Sequence, residues 1–377
     1  MKIMMIAPGR SILSNNWATA MCDRGHTLYF VTQESFTENN YSFVDNVDQR
    51  FIIKQLPYKG KKGFFLNGPY VKKIMKEINP DIIHVQQAFG YGFLGTFTDK
   101  KRAFVSVYGW EVYDKVKSKL WKPIISYIMH WYKHIGSTSY CMRRQIYKVF
   151  PDLKTPIVVT PFGIDMNKFA YKEGMKDEFV IGTVKKMDRK YGIEFLIKAF
   201  AKAYARIKEI DSNVADKMYL ELVGPGQQVD ELKIISENLG ISDRTRFIGR
   251  VAHDNVPYWL NRFDIYCAPS ILDSESFGVA VIEASACRRP VIVSNAGGLP
   301  EVVEDGVTGY VVEKKNVDAL SDKIIELTIN SDKRIRMGLC GEKRVKEHYE
   351  WQKCVDLMED VYKSITDGSY TIKYTER

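Results

Sequence analysis

No stretch of this sequence is apolar for the roughly 18 residues that a membrane-spanning helix requires, which excludes helical spans. The start, "MKIMMIAPGR", has one lysine and then a short strand-like run ending in Pro-Gly, so a signal peptide is not expected. The six cysteines (Cys22, Cys141, Cys267, Cys287, Cys340, Cys354) form no C-x-x-C pair and read as free thiols of a reducing cytoplasm. No Asp-x-Asp occurs. The glycine loop "LVGPGQQVDEL" offers Gly224 and Gly226 after an apolar run, but Val229 stands where a dinucleotide fingerprint needs its third glycine. The N-terminal "APGRSI" does no better, which speaks against a dehydrogenase. Acidic residues are scarce in one region: residues 51–150 hold 18 Lys and Arg against 5 Asp and Glu. The chain's net charge of +9 divides into +12 over residues 1–170 and −3 over the rest, so the N-terminal half is expected to face something anionic.

What is present is an alternation. "KIMMIA" reads as a buried strand. "NNWATAMCDRGHTLYFVT" is a helix, a stop at Gly25 and a strand, and "KKIMKEINPDIIHVQ" repeats the pattern across an Asn-Pro break. "RAFVSVYG" adds a strand. Apolar strands alternating with helices indicate a parallel sheet covered on both faces. The stretch 161–178 lacks periodicity and reads as a linker. The alternation restarts at "FVIGTV" and runs through "YLELVG", "TRFIG", "IYCAPS" and "PVIVSN". Two doubly wound Rossmann-like domains are therefore expected, at 1–160 and 179–350, facing across a cleft at the carboxyl ends of their strands.

One segment stands out within the second domain. In "ESFGVAVIE" two carboxylates, Glu275 and Glu283, bracket seven uncharged residues. Glu275 follows the strand "IYCAPS". Gly278 permits close backbone approach, and the helix beginning there presents free N–H groups and a positive dipole end, a site for a diphosphate. Carboxylates accept paired hydrogen bonds from sugar diols. By spacing alone, a helix N-terminal acid and a solvated helix glutamate are an equal reading.

The passage "APSILDSESFGVAVIEASACRRPVIVSNAGGLPEVVEDGVTGYVV" closely resembles the signature of the family 4 retaining glycosyltransferases, which have the GT-B fold and an E-x7-E motif. The resemblance continues in "TPFGIDMNKF", "LVGPG", "RFIGRVAHDNVPYWL", "DIIHVQQAFGYGFLG" and "FVSVYGWEVYD". It includes "YEWQKCVDLMEDVYKSI", whose counterpart is a last helix (about 351–377) crossing back to the first domain. It implies a nucleotide-sugar-binding C-terminal domain and an acceptor-side N-terminal domain. Glu275 would hold donor-sugar hydroxyls and Glu283 the ribose. The backbone of Ser276, Phe277, Gly278 and Val279 would face sugar and phosphates. Gly224, Gly226, Arg250 and Val251 would lie on the nucleotide side. Lys185 and Lys190 keep the family's five-residue spacing for diphosphate contacts, with lysine in place of arginine at 185 and hence without the bidentate fork. The N-terminal domain departs from the pattern. The first loop has Gly9 within Pro-Gly-Arg, and the family histidine is replaced in "YGWE", where Tyr108 or Glu111 stands in on the acceptor and sugar side. His84, inside "DIIHV", reads as a core histidine.

The resemblance thus implies a hexosyltransferase-type enzyme that retains configuration, uses a nucleotide-diphosphate sugar (UDP before GDP) and needs neither metal nor cofactor. The missing Asp-x-Asp agrees with that. The acceptor is expected to be a saccharide or lipid-linked saccharide in surface polysaccharide biosynthesis. The lysine- and aromatic-rich segments "YKGKKGFF" (58–65) and "DKVKSKLWKPIISYIMHWYKH" (114–134) imply peripheral binding to an anionic membrane surface on the cytoplasmic side. Two rivals remain: a GT-B nucleotide-sugar epimerase without acceptor, and a basic nucleic-acid module, for which no motif is present. No nucleic-acid partner is expected.

Overall fold

The computed structural model describes residues 1–34, 49–174 and 177–370. Residues 175–176 of the expected linker and 371–377 of the C-terminal segment lie outside these. The chain divides into two compact units, Met1–Pro161 with Gln352–Arg377, and Phe162–Trp351.

The first unit is built on seven parallel strands: β1 (Lys2–Ile6), β2 (Thr27–Thr32), β3 (Phe51–Gln55), β4 (Ile82–Gln86), β5 (Ala103–Val107), β6 (His134–Ser137) and β7 (Ile157–Val159). They lie in the order β3-β2-β1-β4-β5-β6-β7, so the winding reverses between β1 and β4. The central strands β4 and β5 are buried along their whole length, as helices on both faces demand. The edge strand β3 is half-buried from Phe51 to Lys54 and exposed at Gln55, and those two polar residues mask its strand pattern in the sequence. Chain reversals use left-handed backbone where the sequence allows it: Gly25 (φ 83°) ends the first helix, and Asn79 (φ 45°) caps helix Gly68–Ile78 before Pro80.

The helix Trp351–Thr366 packs on this first unit. Arg24 pairs with Asp356 at 2.5 Å and Glu359 at 3.2 Å, at the rim of the contact. At its centre His84, on β4, holds the Tyr362 hydroxyl at 2.6 Å through Nδ1 and the Ser106 hydroxyl at 2.8 Å through Nε2. His84 is thus a satisfied core histidine.

The second unit has six parallel strands: β8 (Phe179–Val184), β9 (Met218–Val223), β10 (Thr245–Gly249), β11 (Ile265–Ala268), β12 (Val291–Ser294) and β13 (Gly309–Val312). Their order is β10-β9-β8-β11-β12-β13, with the reversal between β8 and β11. Residues 162–174, read in the sequence as connecting chain, contribute Ile164 and Phe169 to the core of this unit, and Ile164 pairs with the chain at Glu350. Two doubly wound parallel sheets with a returning C-terminal helix are the architecture of the GT-B class.

Burial pushes the His84 imidazole down from 6.5 to about 3. The unfolded chain takes up a proton near the ordinary value, and the folded chain does so only near the lowered one. Stability is therefore expected to fall as pH drops through that window, with a slope of up to about 1.4 kcal/mol per pH unit from this group. Tyr362→Phe should destabilise the fold by about 1–2 kcal/mol at neutral pH, measured by urea denaturation.

Candidate functional site

The winding of the second sheet reverses between β8 and β11, and the carboxyl ends of strands at such a reversal are where doubly wound sheets bind ligands. Lys185 leaves the end of β8, its N–H bonded to the Val223 carbonyl at 2.9 Å. Glu275 follows β11 in a short loop. The two side chains meet there: Lys185 Nζ donates to Glu275 Oε1 at 2.9 Å, both largely shielded from water. Burial pulls the Lys185 ammonium down, but the Glu275 charge, the Tyr266 hydroxyl, the hydrogen bond to Glu275 and Tyr191 outweigh it and hold it above the ordinary lysine value. Lys190 Nζ reaches into the same loop and donates to the Ser274 carbonyl at 2.8 Å. The Tyr191 ring lies 5.0 Å from one ammonium and 5.4 Å from the other. The five-residue spacing thus brings both lysines to one loop and within reach of one aromatic ring.

The Glu275 loop is fixed from behind. Gly298 N–H donates to the Glu275 carbonyl at 2.8 Å. A Cβ on Gly297 would stand 2.2 Å from that carbonyl, and one on Gly298 would stand 2.3 Å from the Ser276 carbonyl, so "GGLPE" is the loop's backing plate. Phe277 is buried between Phe162 and Tyr349, each ring 5.6 Å away. Gly278 takes φ 105° and caps helix Val279–Ala286, whose first N–H groups begin beside Glu275. Glu283, on the second turn, is buried, and His253 Nε2 approaches its carboxylate at 3.6 Å. Arg250 is exposed beyond β10, and Val251 packs against the core beside it.

The clearance at the two nucleotide-side glycines is used by the protein itself. A Cβ on Gly224 would lie 2.0 Å from the Lys185 carbonyl, and one on Gly226 would lie 2.3 Å from that of Met187. These glycines seat the lysine loop. Sequence reasoning passed over Tyr191, adjacent to Lys190, and Tyr266, midway along a strand with nothing in the sequence to single it out. His253 reads from the sequence as a nucleotide-side loop residue or equally as a surface one.

In the first unit Gly9 follows β1, while Tyr108 and Glu111 follow β5, next to β4 in the sheet whose winding reverses between β1 and β4. Gly9 N–H donates to Thr32 Oγ1 at 3.1 Å. Glu111, 2% exposed, accepts the Ala88 N–H at 2.9 Å and the Tyr108 N–H at 3.4 Å through Oε1. Burial pushes its carboxyl up against the pull of backbone donors, and among the described residues its buried Oε2 has no hydrogen-bond partner. Burial, then Glu111, pushes the Tyr108 phenol up.

Residues 165–344 match the family model described as glycosyl transferases group 1, and residues 2–139 match the one described as glycosyl transferase 4-like. An uncharacterized glycosyltransferase of Methanocaldococcus jannaschii is 27% identical over 90% of each chain. A GDP-mannose-dependent α-(1-6)-phosphatidylinositol monomannoside mannosyltransferase of Mycobacterium tuberculosis is 34% identical over 36% of this chain and 37% of its own. Among solved structures, Anabaena HepE in complex with UDP superposes with a TM-score of 0.77 at 17% identity, over 97% of this chain and all of that one.

Lys185→Met strands a buried carboxylate and is expected to destabilise the fold by about 3 kcal/mol. Adding Glu275→Gln should recover part of that loss, giving a coupling of about 1–3 kcal/mol in a double-mutant cycle followed by urea denaturation. Additive effects would mean the two groups do not interact.

Proposed function

The chain belongs to the group 1, type-4-like glycosyl transferases, and from that premise we propose that it moves a sugar, with retention, from a nucleoside-diphosphate donor to an acceptor hydroxyl. The observation that carries this reading is the Lys185–Glu275 pair with Lys190 on the adjoining carbonyl, at the start of helix Val279–Ala286. Two ammonium groups and a helix N-terminus supply positive charge where a diphosphate departs, so the leaving group is stabilised without a cation. Glu275 accepts hydrogen bonds from sugar hydroxyls on the same loop, and Glu283 takes the ribose diol. His253, already beside Glu283, is a further group on the ribose side. The departing phosphate takes the acceptor proton, so no protein base is assigned. Gly224 and Gly226 contribute by holding the lysine loop in register rather than by admitting the nucleotide.

UDP is the favoured nucleotide, in keeping with the UDP bound by the Anabaena relative in fold. A GDP-sugar is the second reading, favoured by the stretch 34% identical to a GDP-mannose-dependent enzyme. The acceptor is a lipid-linked saccharide in surface polysaccharide synthesis, met at the cytoplasmic face of an anionic membrane. No helix among the described residues is long and apolar enough to cross one. The basic, aromatic segments 58–65 and 114–134 therefore carry the membrane contact. Glu111 and Tyr108 take the place of the family histidine on the acceptor side.

The test is a panel of UDP- and GDP-sugars, followed by donor hydrolysis and by transfer to lipid-linked saccharides. Glu275→Gln should stay folded and lose most transfer. Lys190→Ala should weaken donor and free nucleoside diphosphate alike by about 1.5–3 kcal/mol. Chelator should leave turnover unchanged, and abolition of activity by chelator would overturn the metal-free reading. An epimerase would change the sugar with no acceptor present.

A further inference from the structure

The two basic, aromatic segments of the first unit, some fifty residues apart in sequence, close around one pocket of about 130 Å³. Helix Gly60–Leu66 supplies Phe64 and Phe65, and the segment after β4 supplies Phe89 and Phe93. Helix Trp121–Trp131 presents Trp121, Ile124 and Ile128, which share a face at helical spacing. The side chains lining it are aromatic or aliphatic except for two lysines, Lys61 and Lys115. A cavity of this kind and of about 150 Å³ stays dry and takes up small hydrocarbons.

The charge at the pocket is of one sign. Lys115 Nζ sits 4.7 Å from the Trp110 ring, 5.3 Å from Phe89 and 5.7 Å from Trp121, held by the ring faces rather than by an acid. Among the described residues no carboxylate pairs with Lys61 or Lys115, whereas Lys117 close by is paired with Asp114 at 3.0 Å. Around the pocket Phe65, Trp110 and Leu120 are each more than half exposed. The pocket is also continuous with the acceptor-side candidates. Phe89 follows Ala88, whose N–H is bonded to Glu111, and its ring packs edge-on against Trp110 at 5.8 Å.

We propose that this pocket holds the hydrocarbon chain of the acceptor's own lipid, with the lipid phosphate between Lys61 and Lys115 and the saccharide directed toward Glu111. The inference rests on the transferase reading for its acceptor but concerns a site the donor does not touch. The ligand chemistry is a phosphate monoester or diester on an aliphatic or prenyl chain. The first few carbons beyond the phosphate enter the protein.

Titration calorimetry on the full chain tests this with n-alkyl phosphates from butyl to dodecyl, each below its micelle concentration. Affinity should rise about fourfold for each methylene taken from water and then flatten once the pocket is filled. Dodecyltrimethylammonium should bind at least tenfold more weakly than dodecyl phosphate. Ile124→Trp, which fills the cavity, should abolish the chain-length dependence while UDP binding is unchanged. Phe65→Ala, at an exposed wall, should weaken dodecyl phosphate several-fold and serves if the first variant misfolds. The same chain-length series in Ile124→Trp as in the parent protein would overturn the proposal. So would binding only to phosphatidylglycerol vesicles and never to monomers, which would make the face a membrane-surface contact. Failure of both UDP and GDP to bind the parent protein would instead count against the transferase reading and leave the pocket result standing.

Discussion

One buried ion pair governs the second unit. Two opposite charges at 2.9 Å, both withdrawn from water, carry a desolvation cost that their attraction repays only if the geometry is held. Much of the surrounding sequence serves that end. Gly224 lets the β9 turn press against the Lys185 carbonyl, Gly297 and Gly298 let a second turn press against the Glu275 loop, and Phe277 pins that loop into the core. The sheet topology does the rest, because the winding reverses between the neighbouring strands β8 and β11, and the segments that follow them carry the two partners of the pair. A group so arranged is preorganised: its dipoles need no rearrangement when a charged ligand arrives.

How much of this was legible depends on what kind of information each feature carries. The buried strands were readable because parallel sheets covered on both faces need continuous apolar runs, as in "IIHVQ" and "AFVSV". The half-buried edge strand β3 and the strand "HIGS" at β6 lack that signal. Glu275 and Glu283 stood out by their spacing but, like Lys185 and Lys190, took their roles from the family resemblance, and the structure brings Lys185 and Lys190 to the loop that carries Glu275. The role of the glycine loop was not legible. Its glycines were placed on the nucleotide side by resemblance, and which backbone lies against them depends on how β8 and β9 end side by side. Tyr191 and Tyr266 escaped for a similar reason, since a tyrosine beside a lysine or inside a strand has no distinctive pattern. The stretch 161–178 read as a linker because its apolar residues, Ile164 and Phe169, are too sparse to be periodic, although both are buried.

The first unit follows a different logic. Its core is ordinary, and its returning helix is keyed by a neutral histidine between two hydroxyls. Its surface is not ordinary. Aromatic rings and lysines that the sequence shows as two separate basic segments become one apolar pocket with a positive mouth, a grouping set by the segments after β3, β4 and β5. Charge excess in the N-terminal half, visible from composition alone, thus acquires a location.

The central claim, a metal-free diphosphate site in the second unit, is tested most directly by phosphorus NMR of UDP titrated with the protein in the presence of chelator. The account expects both phosphorus resonances to shift and saturate at one UDP per chain, with the terminal phosphate moving most and magnesium adding nothing. Shifts that appear only when magnesium is supplied, or none at all, would contradict it.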